Sequence, residues 1–368
     1  MIARITAAEV AALVGARLHG DGTALIEGVA PLSAITPGAI VFAEKERDVP
    51  AAMASAAAAV VASVVPPSVS RPALIETPHV RRTFAEICQL LFTGYPREAT
   101  GVHPTAVVDL SATLGADSAI GPHVVVGAGC RVGARATLRA GVVLDEGAEV
   151  GEDCYLFPGV VVGRYSVIGA RTVVHPNAVI GGEGFGFTEG GEGNTKQPQF
   201  GRVVIGRDCE IGACATVDRG TLGDTILGDD VKLDNLVQIA HNCRVGHHVR
   251  ISALSGLAGG AIVEDGCVFG GQSGVGNRIT VRRGTMVGAQ AAVLSDTEPN
   301  SKLWGTPAKE LRAALKEAAL TRQLPELLRR LRALERAAGA SHPIPSRPRK
   351  AATPAQRPST SRKRPGRG

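Results

Sequence analysis

The feature that most limits what this chain can become is a period of six. From Val102 to Ile180 every sixth residue is aliphatic, fourteen positions in a row that include Leu114, Ile120, Leu138, Leu156 and Ile168. Glycine often follows directly, as at Gly115, Gly121, Gly133, Gly163 and Gly169. A Gly-rich excursion, "GEGFGFTEGGEGNTKQPQFGR", interrupts the pattern, which resumes at Ile205, Ile211 and Val217. A four-residue insertion around "DRGT" follows, and the period then runs unbroken from Leu227 to Val293.

A period of six matches neither the α-helix nor the coiled coil. It is the signature of a parallel β-helix in which each hexad forms one short strand and one turn. Three hexads close a coil of about 18 residues, so each aliphatic residue i points into a triangular column and residue i+18 stacks on it at ~4.8 Å. Glycine at i+1 is expected to supply the tight turn conformation. Composition agrees, because 44% of the chain is hydrophobic but only 3% aromatic, which suits a narrow column of Val, Ile, Leu and Ala. Cys130, Cys154, Cys209, Cys243 and Cys267 all fall at i+4, the small inward slot, and read as buried hydrophobes. No CxxC pair points to a zinc ribbon or a disulfide frame.

The expected class is therefore mainly β, a left-handed parallel β-helix over residues 101–300, with its hand taken from known hexapeptide prisms. Residues 1–100 lack the period and alternate helix-like with strand-like pieces, which predicts a small α/β module. Its first helix has Thr6 as N-cap, Glu9 three residues on and Gly15 just past the end. Residues 301–340 read as two helices, with Pro325 opening the second and Leu at three/four spacing in both. Residues 341–368 form a Pro/Ser/Arg tail with eight basic residues and no acid, expected to be disordered. Of the formal +6, those eight charges account for more than all, leaving the body at −2. The body carries no nucleic-acid footprint, although the tail is open to an anionic partner or to a merely solubilising role. The longest apolar run, 51–65, is Ala-rich and shorter than the ~18 residues of a membrane span, so a cytoplasmic protein with at most peripheral membrane contact is expected.

The segment "NLVQIAHNCRVGHHVR" sets three histidines in the turn halves of two hexads. His241 and His247 occupy the same slot, i+2, on different faces, so they do not converge on one small ligand. A metal site would need a symmetry-related subunit, and no histidine triple is evident; His247 and His248 read as surface residues. A neutral imidazole outside the column is suited to general-base work near neutral pH. One coil on from His241 stands Gly259, whose N–H no side chain shields. Asp234, seven residues before the histidine, is either an orienting carboxylate or a structural turn residue. Asn235, Gln238 and Asn242 flank the same site as candidate substrate hydrogen-bonders.

"IGACATVDRGTLGDTILGDDVKLDNLVQIAHNCRVG", with "GGEGFGF" and "QPQFGRVVIG", closely resembles the UDP-3-O-acylglucosamine N-acyltransferases of lipid A synthesis. The resemblance covers roughly residues 3–335. It implies transfer of an (R)-3-hydroxyacyl chain from acyl carrier protein to the 2-amino group of a UDP-3-O-acyl-glucosamine, by a homotrimer without cofactor or metal. It implies His241 as general base and the Gly259 N–H as oxyanion donor. Arg312, Arg329 and Arg330 would face the acidic carrier protein. "GGEGFGF" lacks the strand-to-helix context of a dinucleotide loop. Two features depart from the family. Its uracil-binding Phe…Asn…Tyr set appears here as Phe42, Lys45 and Asp48, and a second family histidine appears as Arg278. Another amino-sugar nucleotide, or coenzyme A as acyl carrier, is therefore the nearest alternative. A metal-dependent hydratase and a non-catalytic scaffold are the alternatives of other classes.

Overall fold

The computed structural model describes residues 4–305 and 311–337, apart from 70, 93 and 192. The basic tail lies outside the described residues. The chain divides into two compact units, Met1–Val143 with Val150–Gly159, and Leu144–Glu149 with Val160–Gly368.

The first unit opens with the α/β module. Helix Ala7–Leu13 is held by a capping box, in which Glu9 N donates to Thr6 Oγ1 and Thr6 N donates to the Glu9 carboxylate at 2.8 Å. Gly15 follows in the left-handed region, with φ of 62°. A five-stranded sheet runs in the order Arg17–His19, Ala73–Glu76, Ala59–Ala62, Ala39–Ala43, Gly28–Val29. Alternation sorts its two faces. Ile40, Val61 and Ile75 pack under Val10, Ile87 and Leu91 of the flanking helices, while Val41, Val60 and Leu74 pack on the opposite side with Val49. The solenoid begins in the same unit, where Val102, Ile120, Leu138 and Leu156 stack in parallel register at intervals of 18.

In the second unit the register records both interruptions. Ile168 pairs with Ile205 and Ile180 with Val217, an offset of 37 that accommodates the Gly-rich excursion. Ile211 then pairs with Leu233 and Val217 with Ile239, an offset of 22, four more than a regular coil. From Leu227, paired with Val245, the offset is again 18. The parallel β-solenoid is thus continuous in its pairing rule, and each column residue that leaves water contributes ~1.5–3 kcal/mol before entropy is counted.

Glycine at i+1 serves a different purpose from the one its position suggests. In most hexads the left-handed residue falls at i+3, whether glycine (Gly129, Gly147, Gly260) or not (Arg135, Asp153, Asn242, His248), although Gly181, φ 88°, is left-handed at i+1. Other i+1 glycines are required by close approach instead. A Cβ on Gly115 would lie 2.4 Å from Ala134 N, and one on Gly212 would lie 2.3 Å from the Asp234 carbonyl carbon. The next coil leaves no room for a side chain there.

The expected pair of C-terminal helices is one helix, Leu311–Ala337, with Pro325 inside it. No glycine or turn residue adjoins the proline, which removes one hydrogen bond and crowds the carbonyl four residues back, a strain that a helix can meet by kinking without ending. Leu320, Leu324, Leu327, Leu331 and Leu334 follow one another at four/three spacing and all are exposed in the single chain. Among the described residues no helix is long and apolar enough to cross a membrane.

Candidate active site

His241 sits at i+2 of its hexad, half-buried outside the column, and three neighbouring turns converge on it. Asn242 follows in the left-handed conformation, φ 60°. Its amide is fixed at both ends: Oδ1 accepts from Thr221 N at 2.9 Å and Nδ2 donates to Gly223 O at 3.2 Å. His241 Nδ1 lies 3.1 Å from the same Oδ1 and 3.4 Å from Thr221 Oγ1, whose own proton goes to Gln199 Oε1 at 2.8 Å. Both neighbours of Nδ1 therefore act as acceptors, so Nδ1 carries the proton and Nε2 keeps its lone pair. Both polar atoms of the Asn242 side chain are thus engaged within the protein.

Nε2 faces the next coil. A Cβ on Gly259 would lie 2.6 Å from Nε2 and 2.7 Å from Cε1, so only glycine admits the ring in this place. The Gly259 N–H has no acceptor among the described residues, although its carbonyl accepts from Arg278 N at 3.1 Å and the adjoining Gly260 N donates to His241 O at 2.8 Å. Arg278 lies one coil further on, its Cγ close to Gly260. On the other side, Gly184 of the excursion presses on the histidine so closely that a Cβ there would come within 2.8 Å of His241 Cβ. The two interruptions of the repeat also join each other, with Phe200 N donating to Thr221 O and Gly201 N to Gly220 O, both at 2.8 Å.

Gln238, three residues before His241, donates from Nε2 to Asp218 Oδ2 at 2.8 Å and accepts from Thr216 Oγ1. Asp218 ends its strand immediately ahead of the four-residue insertion and is the acid that the sequence reading missed. Burial pushes its carboxyl up to about 6, against smaller opposing effects of the Gln238 hydrogen bond and the nearby imidazole. Below Gln238 runs a groove of about 450 Å³ lined by Gly256, Ala258, Gly274, Gly276 and Leu294. Cβ atoms on Gly256 or Gly274 would meet nothing closer than 3.9 Å, so these glycines leave the groove floor open where packing does not demand it.

Asp234 is not part of this arrangement. Its carboxylate accepts from Asn235 N at 2.7 Å and Ala253 N at 3.1 Å, which makes it a brace between successive turns, and no hydrogen bond joins it to His241 among the described residues. With Asn235, whose Oδ1 accepts from Ala213 N, it lines a separate cleft of about 520 Å³ together with His175, Glu210, Lys232 and Arg250. Seven residues carry the chain round a corner of the triangle, which is why nearness in sequence misleads here. Phe42 belongs to the first unit, where its ring packs at a tilt against Phe84 with centroids 4.6 Å apart, while Lys45 is exposed. His247 Nδ1 accepts from Asp229 N, and His248 pairs with Asp230 at 2.8 Å. The five i+4 cysteines are buried, and desolvation pushes the Cys209 and Cys243 thiols up to about 11, which leaves them inert. Arg329 pairs with Glu326 at 2.7 Å on the exposed helix.

Two family models match this chain. That of the GMPPB C-terminal domain covers residues 102–184, and that of the hexapeptide repeat of succinyl-transferase covers 202–240 and 260–293. The UDP-3-O-acylglucosamine N-acyltransferase of Methylobacterium sp. (strain 4-46) is 42% identical over 331 residues, 87% of this chain and 93% of that protein. The chain belongs to the UDP-3-O-acylglucosamine N-acyltransferase family. It is accordingly an acyltransferase. A relative of the same name from Bordetella parapertussis is 49% identical over 246 residues, 66% of this chain and 68% of that one. Among solved structures, the LpxA of Acinetobacter baumannii matches at 26% identity over 56% of this chain and 71% of that chain, with a TM-score of 0.43, too partial an overlap to bear on mechanism.

Proposed function

We propose that the protein transfers an (R)-3-hydroxyacyl chain from acyl carrier protein to the 2-amino group of UDP-3-O-(3-hydroxyacyl)-glucosamine, an N-acylation step of lipid A synthesis, in the cytoplasm and without a cofactor. The observation that carries this reading is the locked tautomer of His241, with a free lone pair at Nε2 beside the uncommitted N–H of Gly259. A thioester is already activated, so the acceptor amine mainly needs its proton removed as it attacks. The amine nitrogen bonds to the thioester carbon, Nε2 takes the proton, and the tetrahedral oxyanion is held by the Gly259 N–H. Collapse breaks the C–S bond, and the imidazolium returns its proton to the departing thiolate. The glycine-floored groove below Gln238 offers an apolar path for the acyl chain. In this reading Phe42 contributes to the nucleotide site of the N-terminal module, and Gln238 contributes to acceptor binding, while Asn235 lies in the separate cleft with Asp234.

The working form in this proposal is a homotrimer. Leu320, Leu324, Leu327, Leu331 and Leu334 support self-association, because a four/three leucine stripe left exposed on a 27-residue helix is the seam of a coiled coil. Arg312, Arg329 and Arg330 on the same helix supply positive charge for an acidic carrier protein.

Lys45, Asp48 and Arg278 favour weighing a different amino-sugar nucleotide or an acyl-coenzyme A donor. The deciding experiment is mass spectrometry of products formed from a panel of carrier-protein and coenzyme A thioesters with several UDP-amino sugars. An amide formed only from the carrier-protein thioester and the 3-O-acylated glucosamine nucleotide supports the reading, while preference for coenzyme A overturns the donor assignment. His241→Ala should lower kcat by about 10²–10⁴ without unfolding the solenoid. Full turnover by that variant overturns the mechanism.

A further inference from the structure

The carboxylate that serves the imidazole is identifiable from geometry. We propose that Asp218, not Asp234, is the positioning residue that stabilises the imidazolium formed when His241 takes the amine proton. This inference rests on the reading of His241 as general base.

Three observations place Asp218 for that task. The first is register. The strand Thr216–Asp218 lies directly beside Gln238–Ile239, and the offset of 22 sets Asp218 against the residues leading into His241. The second is a fixed orientation. Gln238 Nε2 holds Asp218 Oδ2 at 2.8 Å, and Thr216 Oγ1 holds the other end of the Gln238 amide, so the carboxylate cannot swing away. The third is a shared cover. One stretch of the excursion passes over both groups, Gly182 near Asp218 Oδ1 and Gly184 against His241 Cβ. A Cβ at Gly184 is excluded by the His241 Cβ, so this cover is fitted to the histidine.

The surroundings leave His241 as the group this anion answers. Arg219, the next residue, turns its guanidinium away to the carbonyls of Gly181 at 3.1 Å and Arg164 at 2.8 Å. Glu183 of the cover pairs with Lys196 at 3.1 Å. Cys243, the other titratable group that senses Asp218, is a buried thiol held neutral. The carboxyl pays for its position by desolvation, and among the described residues the imidazole is a cation-forming side chain that offsets part of that cost. A positive charge appearing on the ring is attracted by an oriented anion in a partly water-excluded site, where such attraction is stronger than in water. The charge is present only while the proton resides on Nε2, so the stabilisation belongs to the transition state and not to substrate binding.

The test is the kcat/KM–pH profile of Asp218→Asn, an isosteric change that keeps an acceptor for Gln238 and removes the charge. We expect kcat to fall roughly 10- to 100-fold, a share of what general-base catalysis is worth, with KM changed by less than about threefold. Removing Asp218 takes its own ionisation, near 6, out of the acid limb, so the limb moves to lower pH. It also sharpens to a single ionisation, because Asp218 no longer has to be charged. Asp218→Glu, which keeps the charge, should recover much of the lost rate and return the limb toward its original place. It also provides the readout if the Asn variant does not fold. Wild-type kcat and an unmoved limb in Asp218→Asn overturn the proposal. So does a loss of rate with the limb unmoved, or a Glu variant with neither rate nor limb restored, since these mark a structural role. His241→Ala assayed alongside separates the two levels: if it stays active the general-base reading fails, and if only it is inactive the Asp218 inference alone fails.

Discussion

Replacing Gly259 by alanine tests the geometry on which the site depends. The added Cβ would stand 2.6 Å from His241 Nε2 and 2.7 Å from Cε1. Carbon contacts are comfortable from ~3.5 Å, so ring and methyl must separate by roughly 0.9 Å. The backbone at 259 is fixed by the Arg278 N–H on its carbonyl and by the pairing of Gly260 with His241, so the imidazole is the part that yields. A displacement near 1 Å costs catalysis on the order of 10²-fold, and that is the expected fall in kcat/KM. Stability should fall by about 1 kcal/mol. Gly259 is not in the left-handed region, so alanine brings no backbone strain, and its entropic gain of ~0.4–1 kcal/mol offsets part of the ~1–3 kcal/mol for crowding.

Steady-state kinetics and a urea titration on the same preparation separate the two effects. Alanine keeps its backbone N–H, so the loss reports ring displacement and not removal of an oxyanion donor. Gly260→Ala is the matched comparison: φ there is 70°, so strain lowers stability by about 1 kcal/mol, and the only near atom is the flexible Arg278 Cγ. The reasoning is refuted if Gly259→Ala retains wild-type kcat/KM, or if both variants lose activity in proportion to lost stability.

Three further outcomes follow from the structure. Asp218 holds its proton more tightly folded than unfolded, with a carboxyl near 6, so its contribution favours folding below about pH 4 and is lost as pH rises through 6. Asp218→Asn should therefore stabilise the protein at pH 8 by on the order of 1 kcal/mol, discounted for partial exposure, and not at pH 4; equal shifts of the urea midpoint at both pH values contradict the assignment. In the native protein a thiol reagent should modify exposed Cys214 while Cys130, Cys154, Cys209, Cys243 and Cys267 react only after denaturation, as peptide mass spectrometry would reveal. Leu327→Asp with Leu331→Asp should dissociate the proposed trimer in sedimentation velocity, and an unchanged particle mass removes the leucine stripe as its seam.

Much of the solenoid was legible because its period is enforced by one repeated demand, an aliphatic side chain facing a narrow column. The stacking of Gly259 on His241 was equally legible, since no insertion falls between them and a count of 18 is valid there. Counting backward from His241 fails. The four residues inserted after Asp218 make the offset 22, so the carboxylate bonded to Gln238 lies outside the simple count, while Asp234 looks close and sits round a corner. The purpose of the i+1 glycines was hidden for another reason. Crowding by the next coil is a property of the stack and leaves no mark on the hexad itself. The proline in the last helix misled because its propensity is local, whereas the exposed helix around it tolerates one missing bond.

The placement of the chemistry follows from what a regular solenoid cannot do. Identical coils present the same flat faces and the same tight corners, so no position on them differs enough to bind or polarise a substrate. Here the repeat is broken twice, by the excursion before Ile205 and by the insertion after Asp218, and the two breaks are bonded to each other through Phe200, Gly201, Gly220 and Thr221. His241 receives its Nδ1 acceptors from the insertion side, Thr221 and the Asn242 that the insertion anchors, and its cover from the excursion at Gly184. Neither break has a packing reason, because the column residues on both sides remain in register. Local departures from an otherwise consistent design mark functional sites. Deleting the insertion should therefore leave the column able to close while the imidazole loses its lock, so that the fold survives and the base does not.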